Sequence, residues 1–192
     1  MKLGFGEIER ALQGLHEVAP SRGAAFRARL RYLQQKVDIG LPRGGTGRRA
    51  NFTFGHAVLF ALALDLEQFG MPPERIQLLF GTVGMDVEVT TLREAFYEVA
   101  SRIGTDKGPT LLWFVPEALS DSTRDPIFDT SAHTVEWGEC IPQNYLAAGS
   151  TRSRLAIINL SVLVSSLMEQ LGGEPDAYVS ALIAWANGEE AN

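Results

Sequence analysis

Apolar residues recur at helical spacing along most of the chain. In Gly6–Val18, Ile8, Leu12 and Leu15 mark one helix face, and Pro20 ends that helix. Ser21 can cap the next segment, "RGAAFRARLRYLQQKV". There Phe26, Leu30, Leu33 and Val37 lie at steps of four, three and four, which at about 100° per residue form one narrow apolar stripe. Arg27 and Arg31 sit one turn apart on another face with Gln34 and Gln35 nearby, and Arg29, Tyr32 and Lys36 flank the stripe on its other side. "DIGLP" then supplies a glycine stop followed by proline.

The next stretch, "LPRGGTGRRANFTF", carries three arginines and no acid. "GGTG" permits a tight turn, and Phe52 and Phe54 give "RRANFTF" some strand character. It is either a plain surface connection or a basic hairpin that meets an anion. Thr53 is also placed to cap the following helix, "GHAVLFALALDLEQFG", which is apolar nearly all round. Such a helix is fully buried or lies in a subunit interface. Gly70 closes it, and "MPPERIQLLF" opens another, with proline early and Glu74 in its first turn.

Beyond residue 80 the period changes more often. Thr91–Ile103 predicts an amphipathic helix with Leu92, Phe96, Val99 and Ile103 inward, capped by Thr91 with Glu94 completing a capping box. Thr110–Pro116 reads as a buried strand, and "HTVEWGECI" as a strand with a bulge at Gly138. "RLAII" is either a third strand, with Asn159 or Ser161 capping a helix to Leu171, or part of an unbroken helix from about Ser153. "EPDAYVSALIAWAN" is a last helix with Pro175 in its first turn. The expected class is α+β: a mostly helical winged helix-turn-helix over residues 1–80, then a small α+β module over 81–192 for dimerisation and for a small-molecule or protein effector. Trp113, Phe114, Trp137 and Tyr145 are available to line an effector pocket, although large aromatics are more often core.

Charge sharpens this picture. Residues 1–50 hold ten Lys/Arg against four Asp/Glu, and residues 51–192 hold seven against nineteen. A basic head on an acidic body points to a polyanionic partner. "MKLGFGEIER" lacks the apolar core of a signal peptide, "AVLFALAL" is too short to span a bilayer, and the single Cys140 excludes an internal disulfide. These features suggest a cytoplasmic protein that does not engage a membrane.

The order helix, basic helix, basic hairpin, buried helix, short helix resembles the DNA-binding head of the MerR family. The resemblance rests on "LRYLQQKVDIGLP", "GRRANFT" and "ALDLEQFGMPPERIQLLF", within about residues 6–80. It implies a groove-facing helix carrying Arg27, Arg31 and Tyr32, and a wing carrying Arg48 and Arg49. With Arg22, Arg29, Gln35, Lys36 and Arg43, these are the expected DNA-binding residues. Arginine and glutamine read base edges, while arginine and lysine hold phosphates. A regulator reading two half-sites is expected to be a homodimer, with Ala57–Phe69 and the C-terminal helices as candidate interfaces.

Nothing in the sequence assembles an enzyme. His16, His56 and His133 are not at metal-ligand spacing with one another or with Cys140. Asp121, Asp125 and Asp129 lack the glycine and terminal glutamate of a calcium loop, and "GGTG" and "GTVG" lack the Lys-Ser/Thr of a phosphate loop. The expectation is a non-enzymatic transcription regulator with no cofactor and no metal. The competing reading is an adaptor whose basic head grips an acidic protein of the transcription machinery.

Overall fold

Phe60 and Leu62 lie at the centre of the computed structural model, which describes residues 1–37, 40–42, 50–80, 88–114, 136–141 and 155–189. The helices among these residues are α1 (Phe5–Leu15), α2 (Gly23–Lys36), α3 (Phe54–Gln68), α4 (Pro73–Phe80), α5 (Glu88–Arg102), α6 (Leu160–Leu171) and α7 (Pro175–Ala186). The strands are β1 (Leu111–Phe114), β2 (Glu136–Gly138) and β3 (Ala156–Asn159). The chain is therefore α+β, with the antiparallel sheet ordered β2-β1-β3. Leu112 of β1 faces Trp137 on one side and Ile158 on the other.

α3 organises the core because it has no exposed face before its last turn. From Phe54 to Leu64 every side chain is buried, as is Leu66. α6 and α7 pack on α3, α1 packs on α6, and α5 packs on α7. One hydrophobic cluster thus runs from Leu3 to Trp185, and it takes in helices on both sides of the expected boundary at residue 80. Burial of α3 inside its own chain narrows one expectation: of the candidate interface Ala57–Phe69, Ala57–Leu64 and Leu66 are covered by their own chain, and only the last turn is open to a second subunit.

Close helix approach depends on Gly55. A Cβ built there would collide with the indole ring of Trp185 on α7. Alanine in a helix is ordinarily favoured over glycine by about 1 kcal/mol. Here overpacking reverses the sign, and Gly55→Ala should lower stability by about 1–3 kcal/mol in a urea melt. The cost should shrink in the Gly55→Ala/Trp185→Leu double variant, because the two changes share one contact.

The helix ends show which local signals were decisive. Thr53 caps α3: its Oγ1 accepts from the His56 backbone N–H at 3.4 Å, while its own N–H donates to His56 Nδ1 at 2.9 Å. At the other end Gly70, at φ 86°, closes α3, with Met71 N–H donating to Leu66 O and Gly70 N–H to Glu67 O. α1 ends in the same pattern three residues before the expected Val18. Val18 N–H bonds to Gln13 O and Glu17 N–H to Gly14 O, so the turn closes before Pro20 is reached. Glu17 takes the left-handed φ of 49° that such a turn needs.

Other expectations needed correction. Ser21 lies in a 3₁₀ turn, Pro20–Arg22, and does not cap α2; Arg22 holds the cap position without a side-chain bond. Phe54 begins α3 instead of extending a strand. α5 begins at Glu88, so Thr91 is inside the helix and not its cap. "AIIN" is a strand, as the three-strand reading required, and Asn159 Oδ1 caps α6 by accepting from Val162 N–H at 3.1 Å. Ser161 Oγ instead accepts from Thr110 N–H at 2.9 Å and ties β1 to α6. No helix among the described residues is long and apolar enough to cross a membrane.

Candidate nucleic-acid interface

α2 lies on the outside of the fold. Leu30 and Leu33 are fully buried, Val37 nearly so, and Phe26 is partly covered, as the stripe predicted. The rest of the helix faces solvent: Ala24, Ala25, Arg27, Ala28, Arg29, Arg31, Tyr32, Gln35 and Lys36 are all exposed. Arg22, just before the helix, is exposed too. At 3.6 residues per turn, Ala24, Ala28, Arg31 and Gln35 form one outward stripe, with Tyr32 beside it.

The cations on this helix divide into two classes. Arg27 Nε donates to both carboxylate oxygens of Glu9 on α1, at 2.9 and 2.8 Å. Arg29 Nε donates to Glu67 on α3 at 2.6 Å. Both arginine side chains are about half exposed, at 57% and 52%, while Glu9 and Glu67 are 6% and 7% exposed. Two nearly buried carboxylates on neighbouring helices therefore clamp the two flanks of α2. Arg22, Arg31 and Lys36 make no ion pair among the described residues, so no described acid compensates their charge. The clamping acids stand 18 and 38 positions from their arginines, and no local spacing in the sequence signals such pairs.

The candidate wing is described only at its base. Gln34 Nε2 donates to Pro42 O at 2.7 Å, which folds the segment after α2 back on the helix. On the far side Phe52 exchanges backbone hydrogen bonds with Leu3, at 2.8 and 3.3 Å. Phe52 is buried, with its ring 6.1 Å from Phe5 and 6.0 Å from Phe60. The expected wing residues Arg48 and Arg49 and the expected DNA-binding Arg43 fall outside the described residues, as do Tyr145, His133 and the Asp121–Asp129 stretch.

The chain matches no family model, no curated protein and no solved structure. Its chemistry is read from its own residues.

Trp113 and Phe114, expected candidates for an effector pocket, are both 3% exposed and belong to the interior. That corrects the pocket reading and favours the core reading of those two aromatics. Trp137 is half-buried. Among the described residues no group of three His, Cys, Asp or Glu side chains could hold a metal ion.

The clamp on Arg27 makes a direct prediction. Glu9→Gln removes the carboxylate and leaves the guanidinium half in water. Stability should fall by about 1 kcal/mol, the usual net worth of a partly screened charge-assisted pair. The α2 face gains one uncompensated positive charge, so affinity for any polyanion should rise in the same variant. A urea melt and a heparin-column elution profile measure the two effects.

Proposed function

We propose that the protein is a sequence-specific DNA-binding transcription regulator with a MerR-like winged helix-turn-helix head. The observation that carries this reading is the outward face of α2: Arg31, Tyr32, Gln35 and Lys36 stand exposed while the apolar stripe is fully engaged in the core. A helix of this diameter fits the major groove, where arginine pairs with guanine and glutamine with adenine. The small residues Ala24 and Ala28 at the start of the stripe would let the helix approach the groove wall closely. Arg43, Arg48 and Arg49 fall in sequence between Pro42, which accepts from Gln34, and Phe52, which pairs with Leu3, and we assign them to the wing. Arg27 and Arg29 serve this surface by fixing the helix, and Arg31 and Gln35 read sequence. Two copies would place two such heads on one operator. α7, whose Val179 and Ile183 are only partly covered, is the better remaining candidate for the interface. The protein works without cofactor or catalysis in this reading.

A second reading is favoured by Ala24, Ala25 and Ala28, which with Tyr32 make an exposed helix surface suited to another helix. In that case the basic head grips an acidic protein. A gel shift with the DNA upstream of the protein's own gene separates the two. A band competed by specific but not by random duplex supports the regulator. Association that needs a second, acidic protein supports the adaptor and ends the DNA reading.

A further inference from the structure

Three of the exposed large hydrophobic side chains meet around one cleft. Phe69 at the end of α3 is 46% exposed, Ile157 of β3 41%, and Val162 in the first turn of α6 57%. They rim a cleft of about 580 Å³, closed on its remaining side by the C-terminal end of α1. Isolated exposed apolar residues are ordinary, but convergence on one concave site is not. It is an open surface cleft, wide enough for a small molecule to lie against its rim.

The polar groups in this cleft are few and grouped. Asp65 Oδ1 stands 3.7 Å from His16 Nδ1, and Gln68 Nε2 lies 3.1 Å from the same nitrogen. Because the Gln68 amide donates, Nδ1 accepts, and a neutral His16 carries its proton on Nε2. That Nε2 is buried without a hydrogen-bond partner among the described residues. Asp65 and His16 are the titratable groups lining the cleft, and among the described residues no lysine or arginine lines it. Burial moves both toward neutrality: it raises Asp65 to about 6 and lowers His16 from its usual value. At neutral pH the cleft thus holds one carboxylate, no described cation and an apolar rim.

We propose that this cleft, at the junction of α1, α3, β3 and α6, binds a small organic amine, with its apolar body against Phe69, Ile157 and Val162 and its ammonium group at Asp65. An anion would meet the Asp65 carboxylate unopposed. A neutral alcohol could accept the same place but would gain no charge. The ammonium supplies hydrogen-bond donors and a full positive charge to a carboxylate whose ionisable neighbour, His16 at 3.7 Å, is biased to neutrality by burial. Binding is linked to protons: the amine needs the ionised carboxylate, so affinity is full above pH 7 and declines as pH falls through about 6.

The test uses the intact chain and three probes of similar size: 2-phenylethylamine, 2-phenylethanol and phenylacetate. Methyl signals of Ile157 and Val162 are followed by NMR during titration. An amine of about nine non-hydrogen atoms should saturate with a Kd on the order of 1 mM. The alcohol and the carboxylate should bind about tenfold more weakly or not at all, the ratio expected of one partly screened charge-assisted bond. Asp65→Asn should erase the preference for the amine and the pH dependence while leaving the fold intact, since it removes an ill-solvated charge. Phe69→Ala, at an exposed site, should weaken all three probes alike. Equal binding of the three probes would overturn the proposal. So would shifts away from these methyls, an amine preference that survives Asp65→Asn, or no saturable binding up to roughly twenty times the expected Kd.

Discussion

Phe60→Ala should cost about 3–5 kcal/mol of stability, the range for deleting a fully buried aromatic ring. Phe60 is wholly buried in α3, and its ring lies 6.5 Å from Phe5 edge-on and 6.0 Å from Phe52. The cluster therefore joins α1, the Leu3–Phe52 bridge and the central helix. Little of the resulting cavity can close, because the neighbours are held by the Leu3–Phe52 bridge and by α1. Urea denaturation compared with Tyr32→Ala gives the measurement, since the exposed tyrosine should change stability by no more than about 0.5 kcal/mol. A loss below about 1 kcal/mol for Phe60→Ala would mean that this part of the core is packed differently. On the proposed DNA-binding reading the variant also tests function: Phe52 loses its floor, so DNA affinity should fall further than the unfolded fraction explains.

The second large effect is electrostatic. If Arg22, Arg31, Lys36 and the loop arginines neutralise about four phosphates, raising salt from 50 to 200 mM should weaken binding roughly a hundredfold. Arg31→Ala should cost about 1–3 kcal/mol on the preferred duplex, and less on random duplex if Arg31 reads a base. Arg27→Ala should behave differently. It leaves the nearly buried Glu9 carboxylate without its charge partner, with only Gln13 Nε2 donating to it at 3.3 Å, so its effect should appear in a urea melt as well as in binding. Fluorescence anisotropy with a labelled duplex at several salt concentrations measures these differences. Salt-independent binding, or equal binding losses in the two variants, would count against the division of the α2 cations into readers and clamped supports.

The sequence was most legible where one residue type decides a local geometry. The Leu30–Leu33–Val37 stripe, the Thr53 cap, the Gly70 stop, Pro175 at the start of α7 and the unbroken apolar run of α3 each state their structure within a few positions. The short strand β1 was also visible as an apolar run, whereas "RLAII" fitted either β3 or an unbroken helix, and only the structure decides for the strand. Thr91 misled because a good cap residue is also tolerated inside a helix, and α5 continues upstream to Glu88. The end of α1 was misjudged because Glu17 adopts a left-handed turn more often filled by glycine. The arrangement of the candidate surface was half legible. Exposed positions on α2 follow from helical period alone, but the clamps from Glu9 and Glu67 come from α1 and α3. The Asp65–His16 cleft was missed for the same reason: His16 stands 49 residues from Asp65 and 52 from Gln68, and β3 and α6 lie about a hundred residues further on.

α1 and α3 turn apolar surface toward α6 and α7. A gene cut after Phe80 would leave that surface in water, and the truncated product should precipitate before it met any operator. Binding work therefore starts from the uncut polypeptide, and a silent head-only fragment would report solubility, not recognition.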